Sequence, residues 1–125
     1  MAQPAEIKEP EVTLNPVHGI MPDSRNEYFF ALALDQLKYE YLFQKQIGMA
    51  GIRGSQVIDF VVFYGAASIA CFIQGSYWHK GNTESEDTLK HLAAEHIYGR
   101  GNVRDFTEEE TSSVDSCVRA IKEKL

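Results

Sequence analysis

The feature that most constrains this chain is a run at residues 56–63, Gln-Val-Ile-Asp-Phe-Val-Val-Phe, with Asp59 set among aliphatic and aromatic side chains. A short stretch this rich in β-branched and aromatic residues, apolar on both faces, reads as a central strand covered on each side. A carboxylate in such a strand is costly to bury without a partner, so the fold must either satisfy it or use it. It is then a structural Asp bonded to backbone amides, a residue at a strand end wetter than it looks, or a ligand for a hard divalent cation, since Mg²⁺ takes oxygen donors and commonly one or two protein carboxylates.

The rest of the chain supplies the elements around that strand. Ser24-Arg25-Asn26-Glu27 has capping-box spacing and opens a helix to about residue 38, with Phe30, Ala33, Leu34 and Leu37 on one face. Residues 39–47 are aromatic-rich and form a first strand. A loop with Gly48, Gly51 and Gly54 carries Arg53 into the Asp59 strand. A turn at Gly65 and Ala66 leads to a third strand over 68–74. A second helix starts near 83–85, its inner face built from Leu89, Leu92, Ala93 and His96 or Ile97, and Gly99 stands at C′. A fourth strand covers 102–106. Thr107-Glu108-Glu109-Glu110 is again a capping-box spacing. Val114, Cys117, Val118, Ile121 and Leu125 line a closing helix. The expected fold is α/β, a mixed sheet of about four strands flanked by helices in the order α-β-β-β-α-β-α. Residues 1–22 lack periodicity and read as an extended arm before a single domain over 23–125.

Charge and cysteine content narrow the classes. The chain has 125 residues, enough for one core without covalent staples, and a formal net charge of −6. Residues 1–30 carry two Lys/Arg against five Asp/Glu, 31–81 four against three, and 82–125 six against ten. The centre is therefore near neutral, and a polyanion contact would have to use a local patch such as Lys45, Arg53, Lys80, Arg100 and Arg104. Cys71 and Cys117 lack metal-site spacing and read as buried thiols. No leader or membrane-spanning stretch is visible, which gives the expectation of a soluble, cytoplasmic protein. No phosphate-binding glycine fingerprint, nucleophile elbow or HExxH pattern is present.

A hairpin centred on Gly65 and Ala66 would set Asp59 beside Phe72, with Gln74 one diagonal step away. The Gln74 amide or the Ile73 carbonyl could then complete a metal site, or Gln74 could simply cap a strand end.

The run Val57-Ile58-Asp59-Phe60-Val61-Val62, the hairpin, and Phe72-Ile73-Gln74-Gly75-Ser76-Tyr77-Trp78-His79 resemble the core of very short patch repair endonucleases. They are also similar to a wider set of phage and bacterial proteins of the PD-(D/E)XK, restriction-endonuclease-like superfamily. Gln44 before its glycine-rich loop, and the acid-x-x-Lys spacing of Asp87 and Lys90, belong to the same likeness. The resemblance implies a restriction-endonuclease-like core and a metal-dependent DNA endonuclease using Mg²⁺ or Mn²⁺. It implies Asp59 as the metal-binding acid, the Ile73 carbonyl as a further ligand beside the Gln74 amide that the hairpin brings near, and His79 near the scissile phosphate as general base or to polarise water. Glu27 would hold metal-bound water from the first helix, and Lys90 would neutralise a phosphate. Arg53, Trp78 and Lys80 would contact nucleic acid. The residues taken by themselves leave a plainer reading open for each: the capping box accounts for Glu27, packing for Trp78, and a solvated position for His79, Lys90 and Arg53. The host would be a bacterial or phage-infected cell.

The sequence also departs from the pattern. Phe72-Ile73-Gln74 replaces the usual Glu-x-Lys half, and the zinc site of the repair enzymes cannot be built from two cysteines. Mismatch repair is not implied. Two uses of the fold follow. A nuclease would lose cleavage but keep its fold in Asp59→Ala. A non-catalytic nucleic-acid-binding or assembly subunit, alone or as a homo-oligomer, would engage a larger complex through residues 1–22 and tolerate Asn at 59.

Overall fold

The computed structural model describes residues 13–47, 56–74 and 84–125. Three helices and a four-stranded sheet follow in the order α1 (Arg25–Gln36), β1 (Glu40–Ile47), β2 (Gln56–Tyr64), β3 (Ala67–Ile73), α2 (Glu84–Tyr98), β4 (Val103–Phe106) and α3 (Val114–Lys124), with one 3₁₀ turn at Arg100–Asn102. The sheet order is β1-β2-β3-β4, antiparallel for the first two pairings and parallel for β3 with β4. The expected α/β class, mixed four-stranded sheet and element order are therefore present.

The starts of α1 and α3 and the end of α2 have local causes. The Ser24 hydroxyl accepts from the Glu27 N–H at 3.2 Å, which closes the first turn of α1. Gly99, at φ 99°, ends α2 through its N–H to the Glu95 carbonyl. The spacing at 107–110 forms a reciprocal capping box, Thr107 N–H to Glu110 Oε1 at 2.9 Å and Glu110 N–H to Thr107 Oγ1 at 3.2 Å. It closes a turn rather than opening the helix. The helix begins seven residues after Thr107, where Ser113 caps α3 by accepting from the Ser116 N–H.

Two apolar clusters lie against the sheet. The larger joins α1 and α3 to Tyr41, Phe43, Phe60, Val62, Ile69, Cys71 and Ile73, with Phe60 in ring contact with Phe30, Tyr41 and Phe43. The smaller joins Ala93 and Ala94 of α2 to Ile47, Ile58, Val61, Ala70 and Phe72. Here one expectation is corrected: α2 turns its alanines to the sheet, and Leu89, Leu92 and Ile97 are 37%, 51% and 46% exposed. Small side chains let a helix backbone lie close to a sheet, and at that distance the leucines fall outside the contact. Cys71 and Cys117 are free, buried thiols, as the pattern indicated.

Residues 13–22, expected as part of an extended arm, lie on the domain. Val17 is 6% exposed within the larger cluster, and Val17 and Ile20 exchange two backbone hydrogen bonds around His18 and Gly19. Among the described residues, no helix is long and apolar enough to cross a membrane.

Candidate functional site

The sheet changes character at one rung. Between Phe43↔Phe60 and Lys45↔Ile58, Gln44 and Asp59 stand opposite one another. On one side of that rung Phe43 and Phe60 belong to the larger cluster; on the other, Ile58 and Ile47 belong to the smaller. Strict alternation would keep Phe60 and Ile58 on the same face, so the hairpin switches faces at Gln44 and Asp59. Gln44 takes up the switch in the left-handed region, φ 51°, a conformation that a side chain adopts only where its surroundings hold it.

The next strand boundary lies at the same place. The β2–β3 ladder runs from Tyr64↔Ala67 to Phe60↔Cys71, so its continuation sets Asp59 against Phe72, as the sequence suggested. Beyond that rung β3 continues beside β4, where Ile73 pairs with Phe106 and the Gln74 N–H donates to the Phe106 carbonyl. The amide that β2 no longer satisfies is met by a side chain: Ile73 N–H donates to Asp59 Oδ2 at 2.7 Å. Asp59, half-buried at this rung, thus has a structural partner.

Glu27 brings a second carboxyl to this rung. It is 5% exposed on the inner face of α1. Its Oε1 accepts from the Gln44 amide at 3.4 Å, and the same amide nitrogen donates to Asp23 at 3.2 Å. Burial, and then the negative charges of Asp59 and Asp23, push the Glu27 carboxyl up to about 8; the hydrogen bonds from Gln44 and Ser24 pull the other way. Burial pushes Asp59 up to about 6, opposed by the Ile73 N–H and the ammonium of Lys90, with Asp23 adding to the rise. The Glu27 carboxyl does not return to the Ser24 backbone as the capping-box spacing predicted: its Oε2 accepts from the Ser24 hydroxyl at 3.5 Å, its Oε1 from Gln44, and the charge of Asp59 reaches it across the rung.

The described part of the predicted set assembles unevenly. Glu27, Asp59, Ile73 and the charge of Lys90 converge. Gln74 follows directly on β3, half-buried, with its backbone engaged by β4. Ile73 meets Asp59 through its N–H, whereas the carbonyl assigned to a metal belongs to the following peptide unit. Arg104 is not free for a polyanion, since its guanidinium donates to the carbonyls of Lys124 at 2.7 Å, Gly101 at 2.5 Å and Val103 at 3.1 Å. Lys45 and Arg100 are exposed. Arg53, Trp78, His79 and Lys80 lie outside the described residues.

Two contributors were not identified from the sequence as site residues, Asp23 and the amide of Gln44. An Asp just before an N-cap reads as turn chemistry, and a glutamine in a strand reads as an exposed position. A third group lies on α2: His91 Nε2 is 2.6 Å from Asp105 Oδ1, with its ring stacked on Phe72 at 4.5 Å between centroids.

Chemically, the site is a pair of oxygen acids on separate elements. No group of three or more His, Cys, Asp or Glu side chains is placed to hold a metal ion among the described residues. The donor set suits a hard, largely hydrated dication held by one or two carboxylates, and it does not suit a nitrogen- or sulfur-ligated transition metal. No family model, curated protein or solved structure matches the chain.

Proposed function

We propose that this chain has a restriction-endonuclease-like core and hydrolyses DNA phosphodiester bonds with the help of Mg²⁺ or Mn²⁺. One observation supports this above the others: two carboxyl groups, Glu27 from α1 and Asp59 from β2, converge where β2 and β3 part, and both are held well above the ordinary carboxylate range. Perturbed acids facing one another are a common feature of sites built for chemistry rather than for folding. Asp59 would hold the cation and Glu27 a water on it; the cation when bound supplies positive charge to the phosphate and a more acidic water. Lys90, whose ammonium already acts on Asp59, would face the phosphate. Glu27 would exchange a proton with the attacking water near neutral pH.

A second reading rests on the Asp59–Ile73 hydrogen bond. It gives Asp59 a role in holding the strand junction, as in a non-catalytic binding or assembly subunit. Asp59→Asn separates the two, because the amide oxygen still accepts from Ile73 while the charge is lost. Wild type, Asp59→Asn and Glu27→Gln would be incubated with supercoiled plasmid, single strands and branched duplex in Mg²⁺ or Mn²⁺. Cleavage by wild type that vanishes in both folded variants supports hydrolysis. No cleavage by wild type in either metal sinks it.

A further inference from the structure

We propose that a recess at the outer edge of β1 binds an arginine side chain carried by a basic segment of a protein partner. The recess, of about 370 Å³, is lined by His18, Asp35, Tyr39, Glu40, Tyr41 and Phe63. Tyr41 lies three residues along β1 from Gln44, on the order of 10 Å at the rise of a strand, so this is a place apart from the Glu27–Asp59 pair.

Its walls are aromatic. The His18 ring stacks on Tyr41 with centroids 4.4 Å apart and planes 16° from parallel, and Tyr39 meets Tyr64 at 5.8 Å. Phe63, 38% exposed, is the cross-strand partner of Glu40. Its polar groups are acids. Asp35 Oδ1 accepts from the Tyr41 hydroxyl at 3.0 Å, which fixes that carboxylate at the rim. Neither Asp35 nor Glu40 has a cationic partner among the described residues. Among the described residues, the lining holds no lysine or arginine.

The backbone is shaped to present this surface. His18, at φ 48°, and Gly19, at φ 80°, form the centre of a two-residue turn closed by Val17 N–H to Ile20 O at 2.8 Å and Ile20 N–H to Val17 O at 2.9 Å. Such turns favour Asn or Gly; a histidine there places a flat ring over Tyr41. Rings beside two exposed carboxylates suit a planar cation, which stacks on aromatic faces and donates to oxygen acids in the same plane. They disfavour a phosphate, which the two acids repel. The chemistry selects a guanidinium over a nucleic-acid backbone, and a protein partner over DNA.

The test uses the full chain labelled with ¹⁵N at low ionic strength. The tripeptide Ac-Gly-Arg-Gly-NH₂ is titrated against its citrulline counterpart, which keeps the shape and loses the charge. The expected result is saturable shifts at His18, Tyr39 to Tyr41 and Phe63 with arginine only. Binding should weaken at least about fivefold in the double variant Asp35→Asn, Glu40→Gln, in which the amide oxygen introduced at position 35 still accepts from Tyr41. Equal binding of citrulline, no shifts at these residues, shifts confined to the neighbourhood of Glu27 and Asp59, or full affinity in the double variant would each overturn the proposal.

Discussion

Glu27→Gln should make the metal-free protein more stable at pH 8 and flatten its pH dependence. The carboxyl of Glu27 ordinarily titrates at 4.5 and is pushed up to about 8 in the folded chain. A raised acid stabilises the fold fully below its unfolded value, and that stability is lost as pH rises through the folded value. Each pH unit of that window costs about 1.4 kcal/mol, so the ceiling between pH 4.5 and 8 is about 5 kcal/mol. Asp59, pushed from 3.8 to about 6, weakens the fold over the lower part of the same window. The two acids share one field and water reaches the Asp59 side, so about half the ceiling, ~2 kcal/mol, is the expected gain at pH 8. Glutamine keeps the size of the side chain and an oxygen to accept from Ser24. The assay is urea unfolding in EDTA at half-unit steps from pH 5 to 8, for wild type and variant. Wild-type stability should fall across that range, and the variant should fall much less. A variant that is less stable than wild type at pH 8, with the same slope, would refute the idea that Glu27 is a buried acid under strain.

Other outcomes follow from named contacts. Asp59→Ala leaves the Ile73 N–H without its acceptor and should cost about 1–3 kcal/mol by chemical unfolding, whereas Asp59→Asn should stay within about 1 kcal/mol of wild type. Phe60→Ala opens a void beneath Phe30, Tyr41 and Phe43 and should cost about 3–5 kcal/mol, read in the same experiment. Asn26→Ala removes an amide that donates to the carbonyls of Glu108 and Thr111 and to the Thr111 hydroxyl. It should cost about 1–3 kcal/mol, and hydrogen exchange should quicken in the turn before α3.

The regular elements were legible because their signals are local. Ser24 and the Gly65–Ala66 turn act within a few residues, and the period of Cys117, Val118 and Ile121 is visible without any partner. The face of α2 was not legible, because whether leucine or alanine meets a sheet depends on how near the helix approaches. The switch at Gln44 was hidden for a sharper reason. Tyr41, Phe43 and Ile47 all share one parity, so alternation assigns them one face, and only the left-handed residue between them reverses it. On β2 the continuous apolar run around Asp59 has no parity to read. Asp59 itself was conspicuous as a charge in an apolar strand. Its partner was not, because the Ile73 amide becomes available only where two strands diverge, which is a property of the sheet and not of either segment.

That divergence changes what descent would record. On the proposed function, position 59 is wanted twice, once as an oxygen that closes the strand junction and once as an acid, so selection for folding alone would keep Asp or Asn there in a lineage that had given up chemistry. Position 27 is different. Its buried carboxyl weakens the fold above pH 4.5, so a lineage with no use for it would drift towards Gln or a hydrophobe. Among relatives of this chain, Glu27 and not Asp59 is the residue whose persistence would distinguish a working site from a retired one.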